Sequence, residues 1–111
     1  VKAVDIDATA VRVAIENIAG NELTEKISVQ QGDLLHGTEG KADIIIANII
    51  ADIIIMLLQD IPCKLKSGGI FLASGIIEER QNDVSVVCVS KLLMPKADGL
   101  LCRCVRRTDV A

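Results

Sequence analysis

Residues 42–52 read ADIIIANIIAD, an aliphatic run that stops at an amide side chain. Five apolar residues, Ala42 and residues 44–47, suit a strand that is covered on both faces, as in a parallel sheet. Asn48 then falls at the carboxyl end of this strand, where open α/β sheets place their ligands. Because Asn also shapes turns and caps helices, this pattern alone leaves both roles open for Asn48.

Composition and charge narrow the class of protein. The chain has 111 residues, half of them hydrophobic, so it can bury the core of one small domain. Phe71 is the only aromatic residue and the net charge is −3, which argues against stacking platforms and basic surfaces for nucleic acid. The apolar run at residues 44–58 is too short to span a membrane and contains Asn48 and Asp52. We therefore expect a cytoplasmic protein with no direct nucleic-acid or membrane partner.

The four cysteines could in principle form disulfides or hold a metal. They are Cys63, Cys88, Cys102 and Cys104, and the single histidine is His36. The sequence shows no signal-peptide pattern, and no second Cys or His pair has the spacing of a structural zinc site. We therefore expect reduced, buried thiols and no metal site.

Strands alternate with helices along the chain, which is typical of an α/β fold with a mostly parallel sheet. Apolar spacing and turn residues predict strands at 1–7, 27–31, 42–48, 70–74 and 100–105, and helices at 8–19, 51–65 and 78–93. Pro62 predicts a break in the second helix. Residues 66–69 and 94–99 have the composition of turns, and β-branched residues leave a strand as the alternative for the third helix.

Polar side chains follow three successive strands of the predicted sheet. Asp5 lies near the end of the first strand, Asp33 follows the second and Asn48 ends the third. Parallel strands bring such ends to one edge, so we expect these groups to converge. A carboxylate there can accept hydrogen bonds from ribose hydroxyls or an adenine amino group, although Asp33 can also simply cap a turn. Asp7 is expected mainly to cap the following helix.

Several short motifs form an ordered set over about residues 1–80. They are VDID at 4–7, GDLL at 32–35, KADIIIANI at 41–49, KLKSGG at 64–69 and ASGI at 73–76. Together they resemble the ribosomal protein L-eleven lysine methyltransferase family (PrmA), which belongs to the class I S-adenosylmethionine-dependent methyltransferases. The resemblance implies a Rossmann-like, mostly parallel sheet and a partial methyltransferase catalytic domain over residues 1–111.

The resemblance also implies roles for individual residues. Asp5 would hold the ribose hydroxyls of S-adenosylmethionine, and Ile6 would pack on its adenine. Asp33 would receive the adenine amino group, with Leu34 beside it. Asn48 would be the catalytic residue that positions the accepting nitrogen, next to the cofactor. Related amino-methyltransferases carry Asn-Pro-Pro-Tyr or Asn-Pro-Pro-Phe at this point, and the missing aromatic suits an aliphatic amine of a ribosomal protein, either lysine or an amino terminus.

The chain departs from the family in its sheet. The first strand of the family's sheet and its Gly-rich loop, which cradles the methionine part of the cofactor, have no counterpart here. In the family that strand lies between the strands that end in Asp5 and Asn48. Either these two strands close the gap, or another chain fills it, or upstream sequence does. We therefore expect the isolated chain to bind S-adenosylmethionine weakly or not at all and to be inactive alone.

Two other functions stay open. One is a methyltransferase of the same fold that acts on RNA or glutamine, which the low aromatic content and the missing Pro-Pro motif disfavour. The other is a non-catalytic α/β module that pairs with another chain through its incomplete sheet. Exposed strand edges would also allow self-association in that case.

Overall fold

A computed structural model describes the backbone of residues 1–92 and 101–106 and the side chains of residues 1–87. The chain divides into two compact units, a first unit of Val1–Glu39 and a second unit of Gly40–Ala111. The elements in chain order are β1 (Lys2–Asp5), α1 (Ala8–Gly20), β2 (Ser28–Gln31), β3 (Ala42–Asn48), α2 (Ala51–Leu57), α3 (Ile61–Lys64), β4 (Leu65–Ile76), a 3-10 helix (Glu78–Arg80), α4 (Gln81–Leu92) and β5 (Leu101–Arg106).

The first unit is a strand–helix–strand arrangement. β1 and β2 pair in parallel, and α1 connects them. Asp7 lies at the N-cap of α1, where its Oδ1 accepts a 2.9 Å hydrogen bond from the Thr9 N–H, so the predicted cap is confirmed. At the other end Asn21 Nδ2 donates to the Asn17 carbonyl at 2.7 Å. α1 contains no buried residue, so its apolar stripe is only partly covered.

The second unit is a three-stranded sheet in the order β3-β4-β5, with both pairings parallel. Two crossovers, α2 with α3 and then α4, connect these neighbouring strands. Because crossovers of this kind are right-handed, they place their helices on the same face of the sheet. The apolar core found among the described side chains lies here and consists of Ala47, Ala51, Ile54, Leu57, Leu58, Ile61, Leu65, Phe71, Ala73, Ile76 and Val84.

β3 is covered on one face rather than on both. Ala47 is buried and Ile45 is half-buried, whereas Ile44 and Ile46 are 55% and 71% exposed. Successive strand residues point to opposite faces, and the helices of the second unit all lie on one of them. The prediction of a strand covered on both faces is therefore wrong for the described part of the chain.

The predicted helix at 51–65 is two helices, α2 and α3, separated by residues 58–60. Pro62 lies in the first turn of α3, where a missing N–H breaks no helical hydrogen bond, so the break precedes the proline. The predicted turn at 66–69 lies inside β4. The register between β3 and β4 shifts across this segment, because Ala42 lies opposite Leu65 whereas Ile44 lies opposite Ile70.

The last described helix and strand agree with the sequence predictions, whereas the burial of Cys63 does not. The helix predicted at 78–93 is present as the 3-10 helix and α4, so the alternative of a strand is wrong. β5 confirms the last strand, while the predicted turn at 94–99 lies outside the described residues. Cys63 is a free thiol and is exposed, not buried as expected, and the side chains of the other cysteines lie outside the described set.

The predicted gap in the sheet is visible in the strand pairing. β1 and β2 form one sheet and β3, β4 and β5 form another, so the described strands that end in Asp5 and Asn48 do not pair with each other. These two strands therefore do not close the gap by pairing directly. Separately, no described helix is long and apolar enough to cross a membrane.

Candidate functional site

The ends of β1 and β2 bring two acidic residues to one edge of the first unit's sheet. Asp5 lies opposite Gln31 in the parallel register, and the Gly32 N–H donates to the Asp5 carbonyl at 3.0 Å. A Cβ on Gly32 would meet Val4 Cγ1 at 3.0 Å, so glycine allows this close approach. Asp33 follows directly, and it therefore shares the edge with Asp5.

Asp5 and Ile6 form the first part of this edge. Asp5 Oδ1 accepts the N–H of Asp7 at 2.9 Å, which fixes the turn into α1. Gln31 Nε2 donates to the Ile6 carbonyl at 3.1 Å and holds the same turn from the neighbouring strand. Both the Asp5 carboxylate and the Ile6 side chain are exposed. The turn thus presents an acceptor and an apolar surface side by side.

Asp33 and Leu34 form the second part. Asp33 Oδ2 lies 3.9 Å from His36 Nδ1, and the His36 N–H donates to the Asp33 carbonyl at 3.0 Å. Leu34 has a φ of 54°, in the left-handed region that costs a non-glycine residue about 1–3 kcal/mol. Its side chain is half-buried and the Asp33 carboxylate is exposed. Backbone strain is thus located beside the acid for which the sequence predicted a functional role.

Asn48 lies in the second unit, opposite Ser74 at the end of the β3–β4 ladder. Gly75 has a φ of 81°, and a Cβ there would lie 2.6 Å from Asn48 Oδ1 and 3.3 Å from the Ile49 carbonyl oxygen. Gly75 therefore makes room for the amide. The N-cap of α2 is Ile50, with no side-chain cap bond, so the helix-capping role for Asn48 is wrong. The amide is exposed, and no described hydrogen bond engages it.

A cleft of about 150 Å³ adjoins Gly75 in the second unit. We call it the Gly75 cleft, and it is lined by Ile50, Ala51, Asp52, Gly75, Ile77 and Arg80. Ile50 and Ile77 are 65% and 50% exposed, so aliphatic surface faces solvent here. Gly75 both lines the cleft and approaches Asn48, whereas Asn48 itself is not a lining residue. Gly75 belongs to the ASGI motif at 73–76, but no sequence pattern predicts a cleft at these residues.

The charged side of the Gly75 cleft is an ion-pair cluster. Arg80 Nη2 lies 2.6 Å from Asp52 Oδ1, and Arg80 Nε lies 2.9 Å from Asp83 Oδ2. The hydrogen bond from Arg80, and then its positive charge, lower the pKa of Asp52. The hydrogen bonds to Asp52 and Asp83 raise the pKa of Arg80. One guanidinium thus faces two carboxylates, which leaves a net negative charge.

The sequence carries no local signal for this cluster, because Asp52 and Arg80 lie 28 positions apart. Only the packing of α2 against the segment after β4 brings them together. Within the described side chains, no group of three or more His, Cys, Asp or Glu residues could hold a metal ion.

Parallel strands joined by helices, with acids at two strand ends and an amide at a third, fit the class I methyltransferase fold. The family model described as ribosomal protein L11 methyltransferase (PrmA) matches residues 1–95. The chain belongs to this family.

Similar proteins agree with this assignment. Ribosomal protein L11 methyltransferases from Caldicellulosiruptor saccharolyticus and Carboxydothermus hydrogenoformans are 57% identical over 84 residues and 46% identical over 110 residues. The chain is covered to 76% and 96% in these matches, but it spans only 27% and 36% of the two relatives. The crystal structure of a ribosomal protein L11 methylase from Lactobacillus delbrueckii subsp. bulgaricus superposes with a TM-score of 0.78 at 30% identity, over 82% of this chain and 47% of that one.

These comparisons confirm the family and the α/β methyltransferase fold that the motifs predicted. The roles of Asp5, Ile6, Asp33, Leu34 and Asn48 stay predictions. The structure places the first four on one sheet edge of the first unit and Asn48 at the sheet edge of the second.

Proposed function

We propose that this chain is part of the catalytic domain of a protein N-methyltransferase, and that it transfers a methyl group from S-adenosylmethionine to an amino group of a ribosomal protein. Lysine, or an amino terminus, is the acceptor. One observation carries the proposal: the Asn48 amide lies exposed at the end of β3, without a hydrogen bond among the described residues, and Gly75 provides the space it needs. The reaction belongs in the cytoplasm, where ribosomal proteins are made.

The first unit fits the adenosine part of the cofactor. Asp5 keeps an exposed carboxylate for the ribose hydroxyls, and exposed Ile6 offers an apolar surface for the adenine. Asp33 lies on the same edge as an acceptor for the adenine amino group, with Leu34 beside it. In this proposal the four residues of the first unit together hold the nucleoside.

S-adenosylmethionine supplies a methyl group that its sulfonium makes electrophilic. The chain therefore has mainly to align a neutral amine with that methyl group. The oxygen of the Asn48 amide can accept an N–H of the amine and so orient its lone pair. Burial near a positive charge favours the neutral amine, which explains how positioning could suffice without a dedicated base.

We also propose that the isolated chain binds the cofactor weakly or not at all and is inactive alone. The 111 residues contain no Gly-rich loop after a strand to cradle the methionine part. Calorimetric titration of the chain with S-adenosylmethionine, and with its demethylated product, measures this directly. Micromolar binding by the isolated chain would contradict it.

Activity is best tested in a chimera, because this chain spans 36% of the Carboxydothermus relative. Replacing the matching segment of that full-length protein with this chain gives a molecule of ordinary length. We expect methyl transfer to ribosomal protein L11, and a loss of about 10²-fold for Asn48→Ala. Asn82→Ala, at another exposed asparagine, is the matched control. A chimera that binds cofactor but methylates no amine, or one that Asn48→Ala leaves fully active, contradicts the proposal.

One observation favours a second candidate function, a binding module that pairs with another chain. The face of β3 that carries Ile44 and Ile46 is exposed, and the described strands form two separate sheets. Sedimentation of the isolated chain separates the two candidates. A stable dimer that Ile46→Lys dissociates would support the module, whereas a monomer would leave the methyltransferase as the better explanation.

A further inference from the structure

Gln31 links the end of β2 to residues 5–7, the segment between β1 and α1 that we call the Asp5 turn. Its Nε2 donates to the Ile6 carbonyl at 3.1 Å, although the two residues lie 25 positions apart. We propose that Gln31 is a positioning residue for the cofactor, because it holds the turn that presents Asp5 to the ribose hydroxyls. This inference rests on the proposed function and adds to it a residue that lies outside the family motifs.

The Asp5 carboxylate is shared between the turn and the solvent. Its Oδ1 accepts the N–H of Asp7 at 2.9 Å, whereas its Oδ2 has no partner among the described contacts. The side chain is exposed. One oxygen therefore fixes the carboxylate relative to the backbone, and the other is left for a ligand hydroxyl, to which a charged acceptor forms a strong hydrogen bond. The direction of that second oxygen depends on the conformation of the turn.

Packing does not hold the Asp5 turn. Ile6 is 68% exposed, and no residue of the first unit is buried. The conformation of the turn therefore depends on its hydrogen bonds. Within the described part of the chain these are the bond from Asp7 to the Asp5 carboxylate, the bond from the Gly32 N–H to the Asp5 carbonyl at 3.0 Å, and the bond from Gln31. Only the last reaches the middle residue of the turn.

The register of the sheet explains why Gln31 can make this contact. Gln31 lies opposite Asp5 in the parallel ladder, so its side chain starts beside the residue that precedes Ile6. The amide nitrogen of glutamine is a donor, whereas leucine has a similar size and no polar atom. A Gln31→Leu variant therefore removes the hydrogen bond to the turn and keeps a side chain of similar size on an exposed strand.

The preceding residue, Gln30, is a matched control for Gln31. It is also an exposed glutamine of β2, and no described hydrogen bond engages its side chain. Successive strand residues point to opposite faces, so the Gln30 side chain lies away from the Asp5 turn. Gln30→Leu thus makes the same chemical change at the next position of the same strand without removing a contact to the turn.

The first experiment measures the turn itself, on the full chain and without cofactor. Amide hydrogen exchange at Asp7 reports the bond to Asp5 Oδ1, because that N–H exchanges when the turn opens. Loss of one hydrogen bond in Gln31→Leu should speed this exchange by about three- to tenfold. Gln30→Leu should leave it unchanged. Equal exchange rates in the two variants would overturn the proposal.

The second experiment measures the effect on ribose recognition in the Carboxydothermus chimera. The ligands are S-adenosylhomocysteine, which is the demethylated cofactor, and its 2′-deoxy analogue, which lacks one of the hydroxyls assigned to Asp5. Gln31→Leu should raise the Kd of the natural ligand by about three- to tenfold and change that of the deoxy analogue little. Gln30→Leu should change neither.

A purely structural role for Gln31 predicts a different result. General destabilisation of the first unit would weaken both ligands by the same factor, since both carry the same adenine and the same homocysteine. Equal weakening of the two ligands by Gln31→Leu therefore contradicts a positioning role, as does an unchanged Kd for the natural ligand.

The inference and the proposed function fail in distinguishable ways. If the chimera binds S-adenosylhomocysteine and methylates the ribosomal protein, but Gln31→Leu behaves like Gln30→Leu, Gln31 is not a positioning residue and the proposed function stands. If the chimera binds no cofactor and methylates no amine, the proposed function fails and the role of Gln31 in ribose recognition fails with it.

Discussion

The two units of this chain use the same strand–helix–strand pattern but bury their apolar residues to very different degrees. Ile54 on α2 of the second unit is 0% exposed, whereas Ile15 on α1 of the first unit is 51% exposed. No residue of the first unit is buried, and the whole described core belongs to the second. Two strands and one helix cannot enclose a core, whereas three strands with several helices on one face can.

This difference has a functional counterpart. The first unit presents exposed acids on a lightly packed edge, which in the proposed function hold the nucleoside. The second unit holds Asn48 against Gly75 at the end of a strand whose neighbour, β4, contains the fully buried Phe71. Alignment of an amine demands an accurately placed amide, and a packed core supplies that accuracy.

The largest expected effect comes from the same substitution made in each unit. Ile54→Ala should lower the free energy of unfolding by about 2–5 kcal/mol, because it leaves a cavity in a packed core. Ile15→Ala should lower it by less than about 1 kcal/mol, since half of that side chain already contacts water. Urea denaturation of the full chain measures both. Equal losses would show that the two units are packed alike.

Two glycines with the same backbone conformation provide the next contrast. Gly75 in the second unit and Gly37 in the first have φ values of 81° and 80°, but only Gly75 has a side chain, Asn48, in the space of a Cβ. Alanine at either position should cost about 1–2 kcal/mol for the left-handed conformation. Gly75→Ala should cost more, and it alone should shift the NMR signals of the Asn48 side-chain amide. A similar cost for both, with the Asn48 signals unmoved, would rule out the contact.

The cap of α1 tests how much local structure supports the first unit. Asp7→Ala removes the acceptor of the Thr9 N–H and should destabilise the unit by about 1 kcal/mol. Asp7→Asn keeps an acceptor oxygen and should recover most of that loss. Amide hydrogen exchange in the first turn of α1 reports the effect. Unchanged exchange in the alanine variant would show that packing, and not the cap, holds this helix end.

The smallest effect is the pH dependence of the Asp52–Arg80 pair. Because Arg80 lowers the folded-state pKa of Asp52, the pair stabilises the fold above the carboxyl's unfolded pKa of about 3.9, and this contribution is lost as pH falls through the folded-state value. The difference in Tm between the natural chain and Asp52→Asn should therefore narrow in acid and in high salt.

A matched control for this titration lies in the first unit. Glu25→Gln changes an exposed carboxylate that has no ion pair among the described contacts, and its Tm difference should stay small throughout. A Tm difference for Asp52→Asn that is constant between neutral and acid pH would mean that the ion pair contributes nothing to stability.

Much of the fold follows from local sequence. Strand and helix positions depend on apolar spacing, on Asp7 as a cap and on glycine as a terminator, and these effects act over a few residues. The break before Pro62 was predictable for the same reason. The exposure of one face of β3 was not predictable. The direction of the crossovers decides whether the face that carries Ile44 and Ile46 or the opposite face packs against the helices.

For the candidate site, the sequence by itself determined the residue types and their order: Asp5, Asp33 and Asn48 at strand ends, in motifs that identify the family. Tertiary structure alone decided what surrounds them. The left-handed Gly75 beside Asn48, and the Arg80 guanidinium between Asp52 and Asp83, join residues from separate elements. Such contacts arise when parallel strands align and helices pack, and no spacing along the chain encodes them directly.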